Sequence, residues 1–287
     1  LRDTHTQNMY FIYTFKGLIW NNLFKTALTH ATVTQQTLPT STMSDDYFYF
    51  DPDSLFARAS ALADGYRNAS PFPHAVIDNL LPDAIALRLA REFPPRDFEG
   101  FQRRDNPHQV FKQSRLQESY FKGVSGFARH MVLLFNDHVF IDFLEKLTGI
   151  KGIIPDPHFF GGAFHQILPG GKLDVHADFN RDERRKLDRR INVLLYLNED
   201  WQDAWGGILE LWDENMTRCE KRVSPILNRC VVFNTTDHSY HGHADPLACP
   251  PDRTRNSLAF YYYTNGRDDG SGGEGQFKTL WRDRPTR

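Results

Sequence analysis

Three short stretches hold the residue types that could do chemistry. One is Leu173-Asp174-Val175-His176-Ala177-Asp178-Phe179-Asn180, and the others are Ser239-Tyr240-His241-Gly242-His243 and Arg255-Asn256-Ser257. On an extended segment side chains alternate with period two, so His176 and Asp178 project to the same side. A third ligand from a distant strand would complete a two-His-one-carboxylate face with open positions opposite. That set suits Fe(II) and O2 chemistry. A bare His-x-Asp is common, and its weight here comes from its company. Histidines cluster at His238, His241 and His243, and an arginine, Arg255, follows at the head of an aromatic strand. His241 and His243 share a face in an extended run, so spacing alone does not separate them.

The strand carrying Arg255 places Arg255, Ser257, Ala259 and Tyr261 on one face, with Leu258 and Phe260 on the other. An inward guanidinium with a hydroxyl two residues on can grip a carboxylate by a charge-assisted pair plus one hydrogen bond. In the strand over residues 191–198, Ile191, Val193, Leu195 and Leu197 suit a helix-covered face, and Asn192, Leu194 and Tyr196 face the other way. A buried Tyr196 needs a partner for its hydroxyl, which a ligand carboxylate or a core group would supply.

The elements that position these residues follow from period and punctuation. Residues 47–66 have a loosely helical pattern, and residues 71–79 form a short extended run. Pro82-Asp83 opens a helix, and Pro94-Pro95 stops it. Residues 127–135 and 139–148 form two helical segments ended by Gly149, whereas residues 98–120 show no clear period. Beyond residue 150 the pattern changes to about eight short strand-like runs, at 159–168, 173–178, 191–198, 207–212, 218–223, 229–234, 239–243 and 255–264. Helices followed by closely spaced strands predict a mainly β fold, a sandwich or barrel buttressed by helices on one sheet. Residues 266–275 are Gly-rich and read as a loop before a short docked end at 277–281. The run Arg181 to Arg190, with six basic and three acidic side chains, reads as a solvated loop. Its position after the His-x-Asp pair offers a sharper role, as a lid or docking strip for an acidic partner.

Composition removes several function classes. Lys plus Arg (34) balance Asp plus Glu (36), so no basic footprint argues for nucleic acid or an anionic membrane. No apolar run approaches the roughly 18 uncharged residues of a membrane span. Cys219, Cys230 and Cys249 show no CxxC spacing, which argues against a thiolate metal site and for a reducing cytoplasm. Gly161-Gly162 and Gly170-Gly171 fit neither phosphate-loop pattern. Residues 1–42 are expected to be a non-core extension with Met43 as the working start. They would be followed by a helical part at 43–150, a catalytic β core at 151–265 and the tail at 266–287.

The ordered set of motifs resembles the prolyl 4-hydroxylase-like Fe(II)/2-oxoglutarate-dependent dioxygenases. It comprises Gln166 through Asn180, Leu195-Tyr196-Leu197-Asn198-Glu199-Asp200-Trp201 with Trp205-Gly206-Gly207, and Asn228-Arg229 through His241-Gly242 to Arg255-Asn256-Ser257. Pro71-Phe72-Pro73-His74 resembles the usual approach to that domain, and the match spans roughly residues 70–265. The resemblance implies a double-stranded β-helix (jelly-roll, cupin-like) holding Fe(II) by His176, Asp178 and His241, with His243 as runner-up. It implies that Arg255 takes the distal carboxylate of 2-oxoglutarate, with Ser257, Tyr196 and Gln166 as further cosubstrate contacts, and it admits ascorbate as an added cofactor. Asp178 stands where halogenating relatives have a small residue, so oxygen transfer is the expected outcome. The implied reaction is hydroxylation of a C–H bond with 2-oxoglutarate and O2 consumed and succinate and CO2 released. Its substrate would be a prolyl or other amino-acid residue, or else a free amino acid or small natural product. Rivals are a non-catalytic β-barrel binding module and an Fe(II) oxygenase that uses no oxo-acid.

Overall fold

A computed structural model of the chain describes residues 49–115, 117–267 and 276–285. The expectation for residues 1–42, and most of the Gly-rich stretch 266–275, lie outside the described residues. What is described belongs to one unit, Asp46–Arg287.

Four helices, interleaved with three short strands, occupy the first half of the described chain. Helix α1 (Pro52–Arg67) starts where the Asp51 carboxylate accepts from Ser54 N at 2.9 Å, with proline in the first turn where no N–H is needed. Helix α2 spans Asp83–Arg91, α3 Gly126–Leu134 and α4 His138–Thr148. Ser125 and Asp137 cap the last two by accepting from Ala128 N and Val139 N, both at 3.0 Å. Gly149 ends α4 at φ 79°, a left-handed turn that costs glycine little.

The strands are β1 (His74–Ile77), β2 (Phe101–Arg103), β3 (Gln109–Arg115), β4 (Ile154–Pro155), β5 (Ala163–Ala177), β6 (Arg181–Asp182) and β7 (Leu187–Tyr196). Then come β8 (Leu209–Trp212), β9 (Cys219–Val223), β10 (Cys230–Asn234), β11 (His241–His243), β12 (Arg255–Thr264) and β13 (Leu280–Trp281). They pair in the order β1-β10-β7-β12-β5-β11-β8-β9, every described pairing antiparallel. The sheet curls into a nearly closed barrel, the double-stranded β-helix.

β5 makes that curl possible. Its first half pairs with β12 (Ile167 opposite Arg255) and its second with β11 (His176 opposite His241). Between the halves lies Pro169-Gly170-Gly171. A Cβ on Gly171 would stand 2.6 Å from Ile167 Cγ2 and 2.9 Å from Val110 O, so only glycine lets the strand bend there. The two runs expected at 159–168 and 173–178 are therefore one bent strand with two sets of partners.

The outward face of β7 and β12 is the helix-covered one. Ile191, Val193, Leu195, Leu197, Leu258 and Phe260 pack with Phe135, Phe140 and Phe143. Phe135 and Phe260 stack at 4.2 Å, and each such buried aromatic contributes about 2–3 kcal/mol. The helices thus fix the barrel's outside and leave its inner face to the site.

Two segments differ from the sequence reading. Within the stretch 98–120, and so in part of 43–150 expected to be helical, residues 101–115 form the β2–β3 hairpin that extends the sheet beyond β5. Residues 181–190 are not a solvated loop: they form the β6–β7 hairpin, in which Asp182, Asp188, Arg189 and Arg190 are buried. Intrahairpin and barrel ion pairs compensate these charges, which is what lets a charged run leave water. The docked end read at 277–281 is present as β13, paired to β5 with Trp281 opposite His176. No described helix is long and apolar enough to cross a membrane. The three cysteines are unpaired thiols.

Candidate active site

β5 and β11 bring His176 and His241 face to face, and Asp178 follows immediately after β5. One ligand atom from each of these three residues lies within 4.8 Å of the others. Asp178 Oδ1 stands 3.5 Å from His176 Nε2, and Oδ2 stands 3.6 Å from His241 Nε2. A first-row cation with bonds of about 2.0–2.2 Å fits between groups so spaced. Both rings have the tautomer a ligand needs. His176 Nδ1 donates to Asp174 O and His241 Nδ1 to Ser239 O, each at 2.8 Å, so both Nε2 lone pairs face inward.

His243 lines the same cavity but stays out of this triad. β11 shifts register against β5 between His241 and His243. A Cβ on Gly242 would lie 2.8 Å from Asp174 O and Val175 Cα, so the close approach of β11 to β5 requires glycine. Neither ring nitrogen of His243 has a partner among the described residues. Burial holds it far below the usual imidazole range, with Arg255 adding to the effect, so it is neutral. His238 is exposed, on the surface near Glu214.

Arg255 and Ser257 line the same cavity from β12. The Arg255 guanidinium is buried, donating from Nε to Gly207 O (2.7 Å) and from Nη2 to Tyr196 Oη (3.3 Å). It also lies over the Tyr196 ring at 4.9 Å. Its Nη1 donors remain available to an incoming carboxylate. Burial raises the Tyr196 hydroxyl above its ordinary value against the pull of Arg255, so the hydroxyl accepts from Arg255 and keeps its own proton to donate. Tyr196 is both part of the inner core and a support for the arginine.

Contrary to the cosubstrate contact expected of it, Gln166 does not reach the site. On β5 His165 and Ile167 line the cavity, so Gln166 between them points away. There it accepts from Gln113 Nε2 at 2.7 Å and donates to Asn256 Oδ1 at 3.0 Å.

Four further residues shape the site beyond those singled out from sequence. Arg189 is almost wholly buried, and its Nη2 donates to Asp178 Oδ2 at 2.8 Å. It also donates twice to Asn192 Oδ1 (2.7 and 2.9 Å), and Asn192 Nδ2 donates in turn to Asp178 Oδ2 at 2.7 Å. Burial by itself would raise the Asp178 carboxyl. Arg189 and the two imidazoles outweigh it and hold the group well below the usual carboxylate range. Simple alternation puts Arg189 on the helix side with Ile191. A register shift opposite Tyr262 and Tyr263 gives β7 one residue more than β12 there and turns Arg189 inward, over Tyr261 at 3.6 Å. Trp281 packs on His176 at 4.9 Å and stacks on His108 at 5.0 Å. Lys112, from β3, enters the cavity between Asp178 and Arg255, and burial lowers its ammonium to about 8. Only Asn192 carried a signal in sequence, its place on the inward face of its strand.

Residues 162–279 match the family model described as the 2OG-Fe(II) oxygenase superfamily. Among solved structures, a Pseudomonas putida prolyl-4-hydroxylase is similar at a TM-score of 0.50 and 20% identity, covering 72% of this chain and 98% of that one. A Trichoplax adhaerens prolyl hydroxylase, solved in complex with a hypoxia inducible factor oxygen degradation domain peptide fragment, is similar at a TM-score of 0.54 and 16% identity. That match covers 76% of this chain and 95% of the other. The matched stretch, residues 162–279, is thus a 2OG-Fe(II) oxygenase domain, on a double-stranded β-helix like that of the prolyl 4-hydroxylases.

Proposed function

We propose that His176, Asp178 and His241 hold Fe(II), that Arg255 and Ser257 bind the distal carboxylate of 2-oxoglutarate with Tyr196 behind them, and that the enzyme hydroxylates a C–H bond of a prolyl or other amino-acid residue. The observation that carries this reading is the convergence of three ligand atoms within 4.8 Å in a cavity that Arg255 also lines. The two similar proteins are prolyl hydroxylases, one with a peptide bound, which supports a prolyl substrate.

Fe(II) bound there would couple the oxidative decarboxylation of 2-oxoglutarate to C–H hydroxylation, using O2 and releasing succinate and CO2. The chain's own residues do the rest. The carbonyls of Asp174 and Ser239 fix the two imidazoles with Nε2 presented. Arg189 and Asn192 hold Asp178 ionised and oriented, so a cation meets a carboxylate already stripped of its proton. Arg255 is held by Gly207 and Tyr196 before any cosubstrate arrives, so little ordering cost remains for binding. Leu173, Leu194 and Leu209 keep water from the cavity wall.

The test is succinate formation from 2-oxoglutarate with Fe(II) and no prime substrate. Wild type should turn over, His176→Ala and His241→Ala should not, and His243→Ala should retain iron binding. Loss of iron in His243→Ala with retention in His241→Ala would reverse the ligand assignment. Absence of succinate in the wild type would sink the reading. Ascorbate as a further cofactor, a cytoplasmic location and the dispensability of residues 1–42 belong to the same proposal. Sustained turnover on adding ascorbate, and full activity of a chain begun at Met43, check the first and last.

A further inference from the structure

A second cleft, of about 460 Å³, opens beside the site and shares Lys112 with it. β3 makes the connection. Its Lys112 and Ser114 lie opposite Ile167 and His165 of β5, both lining the site, so this strand carries the site's wall outward into the cleft. Four cations, Arg104, Lys112, Arg115 and Arg184, line the cleft, and Glu118 is its one acid. The chain as a whole is nearly neutral, with 34 basic against 36 acidic residues, so this excess is local. Arg115 is committed to the carbonyls of His158 and Phe159. Arg104 uses only Nε, on Gln102, and no hydrogen bond or ion pair among the described residues engages the side chains of Lys112 or Arg184. Two aromatic rings, Tyr120 (80% exposed) and Phe160 (50%), stand on the same rim. Exposed aromatics beside uncommitted cations form a surface for a ligand that is apolar in one part and anionic in another.

Resting on the iron-site reading above, we propose that this cleft binds the prime substrate through a carboxylate, held by Lys112, Arg104 and Arg184, while the carbon to be oxidised reaches past Lys112 to the His176–Asp178–His241 site. Crowding supports it. Burial lowers the Lys112 ammonium, and Arg255 and Arg189 lower it further against Asp178, so an added anion relieves repulsion among three cations. Of the run at 181–190 only Arg184 lines the cleft, so the acidic partner expected there falls to it, while its neighbour Arg185 is bound by Asp156 and Asp182.

The carboxylate can belong to an acidic residue beside the target in a peptide or to a small amino-acid substrate, and one experiment separates them. The full chain, with Mn(II) and 2-oxoglutarate, is titrated against fluorescein-labelled peptides with a central proline flanked by Glu, by Gln or by Lys, and N-acetylproline serves as competitor. The Glu peptide should bind about tenfold more tightly than its Gln twin. That gap should shrink between about 50 and about 300 mM NaCl and in an Arg104→Gln/Arg184→Gln variant. N-acetylproline binding that weakens in the same variant, with no peptide bound, assigns the carboxylate to a small molecule. Equal affinity for the Glu and Gln peptides, or no binding of any of these ligands, overturns the proposal. Both arginines are exposed, so the variant is expected to keep its fold, and its melting temperature checks that. Succinate formation without prime substrate reports separately on the iron site, so either reading can fail alone.

Discussion

Replacing Arg189 by methionine isolates the electrostatics that hold the site together. Arg189 and Asp178 have side-chain exposures of 2% and 17%, and the guanidinium also supplies both bonds to Asn192 Oδ1. Methionine keeps the apolar stem between Phe179 and Tyr261 but removes the charge, leaving a carboxylate in a mostly dry wall with Asn192 as its remaining donor. Breaking one partner of a buried ion pair costs about 3–5 kcal/mol, because the other charge is stranded. For a domain of this size each kcal/mol moves the melting temperature by about 2–4 °C, so Arg189→Met should melt roughly 6–20 °C below wild type. The assay is thermal unfolding by circular dichroism in EDTA, which removes adventitious metal, repeated with saturating Mn(II). Manganese should restore more stability to the variant than to the wild type, since the cation then neutralises Asp178. A second variant, Arg189→Met/Asp178→Asn, should recover part of the loss because no charge is left stranded. A melting temperature for Arg189→Met within about 2 °C of wild type in EDTA would refute the reasoning, since a buried, stranded carboxylate cannot be so cheap.

Other consequences are as direct. Arg255→Met should raise the 2-oxoglutarate concentration for half-maximal succinate formation by about 30-fold or more, the loss of one buried charge-assisted pair, and saturation unchanged from wild type would exclude Arg255 from cosubstrate binding. Gly242→Ala places a Cβ against Asp174 O and Val175 Cα and should pry β11 from β5, weakening Mn(II) binding about 10-fold or more, as isothermal titration would measure. Burial, with Lys112 adding to it, lowers His165 to about 3, against the pull of its bond to Gly161 O. The unfolded chain therefore takes up a proton near pH 6.5 that the folded one refuses. Stability is full above that pH and falls as pH drops toward 3, by about 2 kcal/mol at pH 5 from this group. His165→Gln should flatten the difference in denaturant midpoint between pH 7 and pH 5, and an unchanged slope would contradict it.

How much of this was written in the sequence depends on which physical rule set each position. Alternation along an unbroken strand is a local rule, so the inward set Arg255, Ser257 and Tyr261 and the outward set Leu258 and Phe260 could be read directly from β12. The same rule paired His176 with Asp178 and separated Asn192 and Leu194 from the helix-facing residues of β7. Helix ends were equally legible, because the capping groups at Asp137 and Gly149 act within a turn of their own residue. What the sequence left open turned on contacts between distant segments. His241 was separated from His243 by the shift of β11 against β5, which depends on how closely Gly242 approaches a neighbouring strand. Gln166 has the chemistry of a cosubstrate contact but the parity of an outward residue, and Gln113 and Asn256 claim it. Lys112 lies in a stretch with no period, and only the pairing of β3 along β5 carries it to the site. Arg189 sat in a charged run that composition assigns to solvent. A single extra residue in β7 reverses its side, and once turned inward it is held there by the carboxylate it neutralises.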